Sequence, residues 1–244
     1  MRKGASVSQL LQLSEAVEAP LRGLRRAERD FGIVARVIVC AMRNMAPEVS
    51  MQMAELAVHY RDRGVVAFDL AGGEFGHPAA AHASAFAYAR SHDLACTCHA
   101  GEGDGAGSIR QAVHLCGAHR IGHGTRLGED ERLLRYVNDR RIPLEICLTS
   151  NVQTRVVASY ADHPLRRYYE AGVPLVLNTD NRLMSGVSLT DEYLLAAEHQ
   201  GFTLHELGDL ALMGFEHAFL PWPERQQLLA RMEAEVDALL HAAG

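Results

Sequence analysis

Four side chains that can bind a metal or move a proton stand at or just behind the ends of successive apolar segments. They are His99, Glu102, His123 and Asp180. In parallel α/β barrels, the loops that follow the carboxyl ends of the strands face one shared mouth, so side chains at these places gather around one pocket. Such groups are costly to bury unless they contact a metal or one another. The spacing therefore predicts a polar site at the strand ends.

Each of these four residues also has a purely structural interpretation. A single histidine at a strand end is more often a hydrogen-bonded structural residue than a metal ligand. A glutamate in a glycine-flanked turn is usually solvated, and an aspartate often caps a helix. The same register recurs at the ends of successive strands, and this recurrence favours one shared site over four separate coincidences.

The residue types indicate metal-assisted hydrolysis. Neutral imidazole and carboxylate groups are common ligands of first-row metals, and a bound Zn²⁺ lowers the pKa of its water to about 7, which supplies hydroxide at neutral pH. Glu102 follows His99 by one short turn and is placed to shuttle protons. We expect His123 to orient the attacking water or to stabilise charge on it.

These residues are positioned by an alternation of short β-branched segments and longer segments with helical periodicity. The predicted strands are Val34–Cys40, Val65–Leu70, Leu94–His99, Arg120–Gly122, Ile142–Leu148 and Val173–Asn178. The predicted helices are Val7–Arg29, Glu48–Arg63, Ala79–His92, Ser108–Ala118, Asp130–Arg140, Pro164–Ala171, Thr190–His199, Leu204–Phe219 and Pro223–His241. Each strand-plus-helix unit takes roughly 25 to 30 residues, which is the size of a βαβ unit in a parallel sheet.

Composition excludes several classes of protein. The chain has 244 residues, a formal net charge of −6 and 48% hydrophobic residues, which fits one folded domain over residues 1–244. The acidic balance argues against a nucleic-acid partner, and no uninterrupted apolar segment is long enough to cross a membrane. Five scattered cysteines without a Cys-x-x-Cys pair predict reduced thiols and a cytoplasmic location.

Five ordered motifs resemble the adenosine deaminase family of the metal-dependent amidohydrolase barrels. They cover the chain from about Glu28 onward, in the family's order and with similar spacing. The matching segments are Glu28–Gly32, Asp69–Gly72, His99–Glu102, Arg120–Gly124 and Asn178–Asp180. The resemblance implies a TIM-type (β/α)8 barrel with about six of its eight strands present, followed by extra C-terminal helices.

The resemblance also implies a reaction and a set of roles. The reaction is hydrolytic removal of the 6-amino group of adenosine, which yields inosine and ammonia, with one Zn²⁺ per chain. His99 and Asp180 would bind the zinc, and Asp180 would also contact the nucleophile. Glu102 would protonate the purine ring nitrogen next to the attacked carbon, and His123 would assist the zinc-bound hydroxide. Gly72 would offer its backbone N–H to the purine.

Two departures from the family pattern leave alternatives open. Asn181 stands where the family has a second aspartate against the purine, so adenine or another aminopurine is an alternative substrate. The chain also contains no His-x-His, the pair that supplies two zinc ligands in the family. We expect the first two βα units to be absent, which weighs against activity of this chain by itself. The alternative is a catalytically inactive truncated homologue or a purine-binding remnant.

Overall fold

Six strands are present in a computed structural model, which describes residues 7–243. They are β1 (Val37–Met42), β2 (Val65–Ala71), β3 (Ala95–Ala100), β4 (Arg120–His123), β5 (Leu144–Ile146) and β6 (Leu175–Leu177). All six were predicted from their apolar, β-branched composition. The predicted parallel α/β alternation is therefore confirmed.

Helices occupy each connection between these strands and the whole C-terminal part of the described chain. They are α1 (Val7–Phe31), α2 (Pro47–His59), α3 (Ala83–Ser91), α4 (Ala106–His114), α5 (Glu131–Asp139), α6 (Leu148–Gln153), α7 (Leu165–Glu170), α8 (Arg182–Ser185), α9 (Leu189–Gln200), α10 (Leu204–Glu216) and α11 (Trp222–Ala243). Short 3₁₀ helices lie at Arg61–Arg63, Ala79–His82 and Leu127–Glu129. Among residues 7–243, no helix is long and apolar enough to span a membrane.

The chain divides into two compact units. The first runs up to Cys98 and includes Gln111–Ala118, and the second consists of His99–Arg110 and the chain from His119 onward. In the first unit, β1 pairs with β2 and β2 with β3, all in parallel. In the second unit, β4 pairs with β5 and β5 with β6, also in parallel. The assignment of residues 1–244 to a single domain stays a prediction.

Each unit has an apolar core. In the first, Phe68 of β2 packs edge-on against Phe86 of α3 with ring centroids 4.9 Å apart, and both side chains are fully buried. In the second, the core contains Ile121, Leu144 and Ile146, one from β4 and two from β5. Parallel strands buried on both faces need such continuous apolar side chains.

Helix α5 shows how the sequence sets a boundary in the second unit. Asp130 precedes the helix, and its carboxylate accepts hydrogen bonds from the backbone N–H groups of Arg132 and Leu133. An N-cap of this kind satisfies donors that have no partner within the helix. The buried face then carries Leu133 and Val137, four residues apart, so the periodicity predicted for this segment is confirmed.

The segment after β5 differs from the prediction. The apolar run Ile142–Leu148 was predicted as one strand, whereas the strand covers only Leu144–Ile146 and helix α6 begins at Leu148. The polar residues Thr149, Ser150 and Asn151 therefore lie on a helix, not in a loop. This difference determines the geometry of the site.

Candidate active site

His99 and Glu102 lie at the carboxyl end of β3, where the chain turns sharply. Gly101 between them has a φ of +72°, and a Cβ there would lie 2.4 Å from Cδ1 of Ile109. Only glycine fits a left-handed backbone packed this closely. The turn is secured on the other side by the N–H of Arg126, which donates to the Gly101 carbonyl over 3.0 Å. Glu102 is thereby held next to the end of β4.

His123 ends β4 and faces both of these residues. Its ring lies edge-on to that of His99 with centroids 5.1 Å apart, and its Nε2 is 3.5 Å from Oε2 of Glu102. The side chain is only 2% exposed, and burial lowers the pKa of His123; the neighbouring His99 acts in the same direction, while Glu102 and Asp180 oppose it. Burial therefore favours a neutral imidazole at this position.

Close packing of β4 against His99 depends on Gly122. A Cβ at Gly122 would lie 3.0 Å from Cα, Cγ and Nδ1 of His99. Carbon atoms prefer separations of about 3.5 to 4.0 Å, so no larger residue fits without displacing the imidazole. The segment Gly122-His123 thus places one imidazole and leaves room for the other.

Asp180 follows β6 and is oriented by helix α6. The Ser150 hydroxyl donates to Oδ2 of Asp180 over 2.7 Å. Asp180 has a φ of +53° and His123 a φ of +61°, and such left-handed conformations are uncommon for residues other than glycine. Strained backbone of this kind clusters at functional sites, where surrounding contacts must hold it in place.

Helix α6 contacts three of the four predicted residues. Besides the bond from Ser150, the Asn151 amide lies 3.1 Å from Nδ1 of His123. The Thr154 hydroxyl, at the C-terminal end of the helix, donates to Oε1 of Glu102 over 3.3 Å. Sequence reasoning assigned no role to the polar residues behind the fifth strand. Their position behind a buried strand was the signal that could have identified them.

A buried carboxylate fixes the start of this helix. Glu192 of α9 accepts hydrogen bonds from the N–H of Leu148 over 2.7 Å and from the N–H of Thr149 over 3.1 Å. The Glu192 side chain is fully buried, and burial raises the pKa of Glu192 while the hydrogen bonds act against the shift. Because negative charge is favourable at a helix N-terminus, Glu192 anchors α6 from a helix more than 35 residues further along the chain.

The two predicted substrate-binding residues lie in different units. Asn181 belongs to the second unit and caps α8, with its side-chain oxygen accepting from the N–H of Met184 over 3.3 Å. Gly72 belongs to the first unit, directly after β2, and has a φ of +98°. Their contacts with a purine stay predictions.

The candidate metal ligands are of the types that bind zinc, but they are too few. His99 and Asp180 offer imidazole and carboxylate, both common zinc ligands. Among residues 7–243, however, no group of three or more His, Cys, Asp or Glu side chains is arranged to hold a metal ion. A catalytic zinc normally has about three protein ligands. The described residues therefore do not make a complete zinc site by themselves.

The arrangement is suited to proton transfer at a buried position. Glu102, partly exposed, can accept and return a proton, and the neutral imidazole of His123 lies within reach of it. Ser150 restricts Asp180 to one orientation. A small molecule at the ends of β3, β4 and β6 would meet these groups together.

Comparison with known protein families gives a match to the model of adenosine deaminase, over residues 4–235. A probable adenosine deaminase of Dictyostelium discoideum is 40% identical over 213 residues, which are 87% of this chain and 28% of that protein. The adenosine deaminase of Mycobacterium tuberculosis strain H37Rv is 39% identical over 235 residues, covering 90% of this chain and 64% of that protein. This chain thus spans less than two thirds of the length of these relatives.

Several solved structures are similar to this chain in fold. An amidohydrolase from Burkholderia ambifaria with bound Zn superposes with a TM-score of 0.88 at 26% identity, covering 94% of this chain and 64% of that one. An adenine deaminase from Arthrobacter aurescens has a TM-score of 0.82 at 25% identity, covering 88% and 66%. An Arabidopsis protein, ADAL, complexed with IMP has a TM-score of 0.83 at 30% identity, covering 92% and 67%. The predicted fold class, that of the amidohydrolase TIM-type barrels, is confirmed.

Proposed function

The chain belongs to the adenosine deaminase family, and we propose that it catalyses hydrolytic deamination of a 6-aminopurine, with adenosine as the substrate. Water adds its oxygen to C6 of the purine, the C6–N6 bond breaks, and the products are inosine and ammonia. The observation that carries the proposal is the set of His99, Glu102, His123 and Asp180 at the strand ends. Helix α6 contacts the last three, and the His99 ring lies against that of His123.

Glu102 is the proposed proton carrier. Its carboxyl group donates a proton to the purine ring nitrogen next to C6, and it regains a proton from the C6 hydroxyl as the C6 carbonyl forms and ammonia leaves. His123 contacts Glu102 and, in this proposal, stabilises the negative charge that develops on the attacking oxygen. Asp180, held by Ser150, is the proposed acceptor for the proton of the attacking water, and it passes this proton to the N6 amino group, which leaves as ammonia. These roles are assigned from the family resemblance together with the contacts of Glu102, His123 and Asp180.

Zinc enters this proposal through the family, which is zinc-dependent. When bound, the metal would activate water for attack, and His99 and Asp180 are its proposed ligands in this chain. Because the described residues offer only part of a ligand set, no step above is derived through the metal. That incomplete set also supports a second candidate function, a purine-binding protein without turnover.

The choice of substrate is part of the proposal. Asn181 in place of an aspartate changes the hydrogen bonds available to a purine from acceptor to donor. The neighbours named above include an adenine deaminase and a protein complexed with IMP. Adenine and 6-aminopurine nucleotides are therefore the alternatives to adenosine that an assay needs to include.

Turnover of the purified chain supplied with Zn²⁺ tests both candidate functions. Release of ammonia and inosine is measured for adenosine, adenine and AMP, with bound zinc quantified in the same samples. Glu102→Gln should abolish turnover but keep purine binding, and Glu131→Gln, an exposed glutamate on α5, is the matched control. Calorimetric binding of inosine without any turnover would support the purine-binding protein, and neither binding nor turnover would refute both candidates.

We also propose a cytoplasmic location, because of the state of the cysteines. The five cysteines are thiols rather than disulfides, and four of them are buried. Reduced thiols are typical of proteins in a reducing compartment.

A further inference from the structure

A series of hydrogen bonds connects the backbone amide of Leu165 to the ring of His123 through His163 and Asn151. The N–H of Leu165 points at Nδ1 of His163 over 3.1 Å. Nε2 of His163 lies 3.1 Å from Oδ1 of Asn151. The other end of the Asn151 amide lies 3.1 Å from Nδ1 of His123. Both His163 and Asn151 are buried.

The direction of every hydrogen bond in this series follows from the first one, which joins the Leu165 N–H to His163. A backbone N–H can only donate, so Nδ1 of His163 must carry a lone pair. A neutral imidazole has one protonated nitrogen, so the proton of His163 is on Nε2. Burial lowers the pKa of His163 to about 3, which keeps the ring neutral. Nε2–H then needs an acceptor, and the atom of Asn151 that faces it is the amide oxygen.

The orientation of Asn151 is supported by a second donor. The Thr125 hydroxyl lies 3.1 Å from the same Oδ1 atom and donates to it. Thr125 is itself held by Tyr168, whose hydroxyl donates to the Thr125 carbonyl over 2.8 Å. With its oxygen engaged by two donors, Asn151 presents its NH₂ group to His123. Nδ1 of His123 must therefore accept.

We propose that Asn151 and His163 are positioning residues that hold His123 in the tautomer with its proton on Nε2. In that tautomer, Nε2–H of His123 is directed towards the Glu102 carboxylate, 3.5 Å away. His123 then presents a donor to the site and has no unoccupied lone pair there. A proton taken from the attacking water goes to a carboxylate, and His123 stabilises negative charge.

The catalytic consequence rests on the proposed function, whereas the tautomer itself does not. The two are therefore measured separately. Ring nitrogens of ¹⁵N-histidine are observed by long-range ¹H–¹⁵N NMR, in which a nitrogen with a lone pair resonates far downfield of one with a proton. His123→Gln and His163→Gln spectra assign the two rings among the 13 histidines of the chain.

The spectrum of the unmodified chain is the first test. Both His123 and His163 should show a protonated Nε2 and an unprotonated Nδ1. A protonated Nδ1 on either ring would overturn the proposal, whether or not the chain deaminates purines. The tautomers are observed in the unmodified chain, and variants serve only for assignment, so this test does not depend on the folding of Asn151→Asp described next.

Asn151→Asp is the second test, because it keeps the size and the acceptor oxygen but removes the NH₂ donor. Nδ1 of His123 should become protonated, and in an active preparation kcat should fall by roughly 10²-fold or more while KM changes little, since a wrong tautomer is known to have costs of this order or larger. Asn138→Asp, the same change on α5, should alter neither quantity. An unchanged His123 tautomer in Asn151→Asp would refute the proposal. Altered His123 signals in a chain without turnover would uphold it and count against the proposed function alone.

Discussion

Replacing Gly122 with alanine places a methyl carbon 3.0 Å from Cα, Cγ and Nδ1 of His99. The preferred carbon–carbon separation is about 3.5 to 4.0 Å, so the imidazole or strand β4 must move by roughly 0.5 Å. Overpacking of this kind costs about 1 to 3 kcal/mol. A displacement approaching 1 Å at a reacting group can lower turnover by about 10²-fold. We therefore expect both a lower free energy of unfolding and a loss of roughly 10- to 100-fold in kcat/KM.

Two measurements separate the structural effect from the catalytic one. Urea unfolding reports the stability, and the ¹⁵N signals of the His99 ring report its displacement without reference to any activity. Gly107→Ala is a matched control because Gly107 lies in α4, is exposed, and a Cβ there meets no atom within 4 Å. It should stabilise the chain by up to about 1 kcal/mol through helix propensity and leave His99 unchanged. If Gly122→Ala left both the stability and the His99 signals unchanged, the close approach of β4 to His99 would be wrong.

Two further substitutions and one pH dependence follow from the site. Glu192→Ala should lower the free energy of unfolding, measured in urea, by about 2 to 6 kcal/mol, because two buried N–H groups at the start of α6 lose their acceptor at about 1 to 3 kcal/mol each. Since burial lowers the folded-state pKa of His163 to about 3, the unfolded chain takes up this proton first as the pH falls below about 6.5. The free energy of unfolding should therefore decrease by about 1.4 kcal/mol per pH unit as the pH falls from about 6.5 to about 3. His163→Gln should reduce this pH dependence of the free energy of unfolding. Ser150→Ala removes the donor to Asp180 and should lower kcat/KM about 10-fold with less than about 1.5 kcal/mol of destabilisation; unchanged kinetics would mean that this hydrogen bond does not orient the carboxylate.

Much of the fold follows from local pattern. The six strands and the nine predicted helical segments each combine an apolar period with local breakers, and Asp130 could be placed at the start of α5 for the same reason. Helix α6 could not be predicted, because its six residues are too few to show a helical period. Its first turn is satisfied by Glu192, a partner 43 and 44 residues away that no local pattern indicates.

In the candidate site, too, some residues could be identified from local sequence pattern and others depend on the folded structure. His99, Glu102, His123 and Asp180 could be identified because each stands at the end of a predicted strand. In the second unit, the structure brings Glu102, His123 and Asp180 into contact with α6 and places the ring of His99 against that of His123. The partners Ser150 and Asn151 depend on a helical turn, and His163 depends on folding around Asn151. A single histidine between Asp162 and Pro164 has no spacing that would mark it.

The strained backbone at His123 and Asp180 explains why these partners are needed. A left-handed conformation costs a residue other than glycine about 1 to 2 kcal/mol, so two of them cost about 2 to 4 kcal/mol. Each of the two side chains receives a hydrogen bond from α6. The bond to the Asp180 carboxylate contributes about 1.5 to 3 kcal/mol and the bond to the neutral His123 ring about 0.5 to 1.5 kcal/mol, which together are about 2 to 4.5 kcal/mol. These two terms are of the same size, so the hydrogen bonds from α6 offset the strain of the left-handed backbone. The orientation of His123 and Asp180 therefore follows from hydrogen bonds within the second unit.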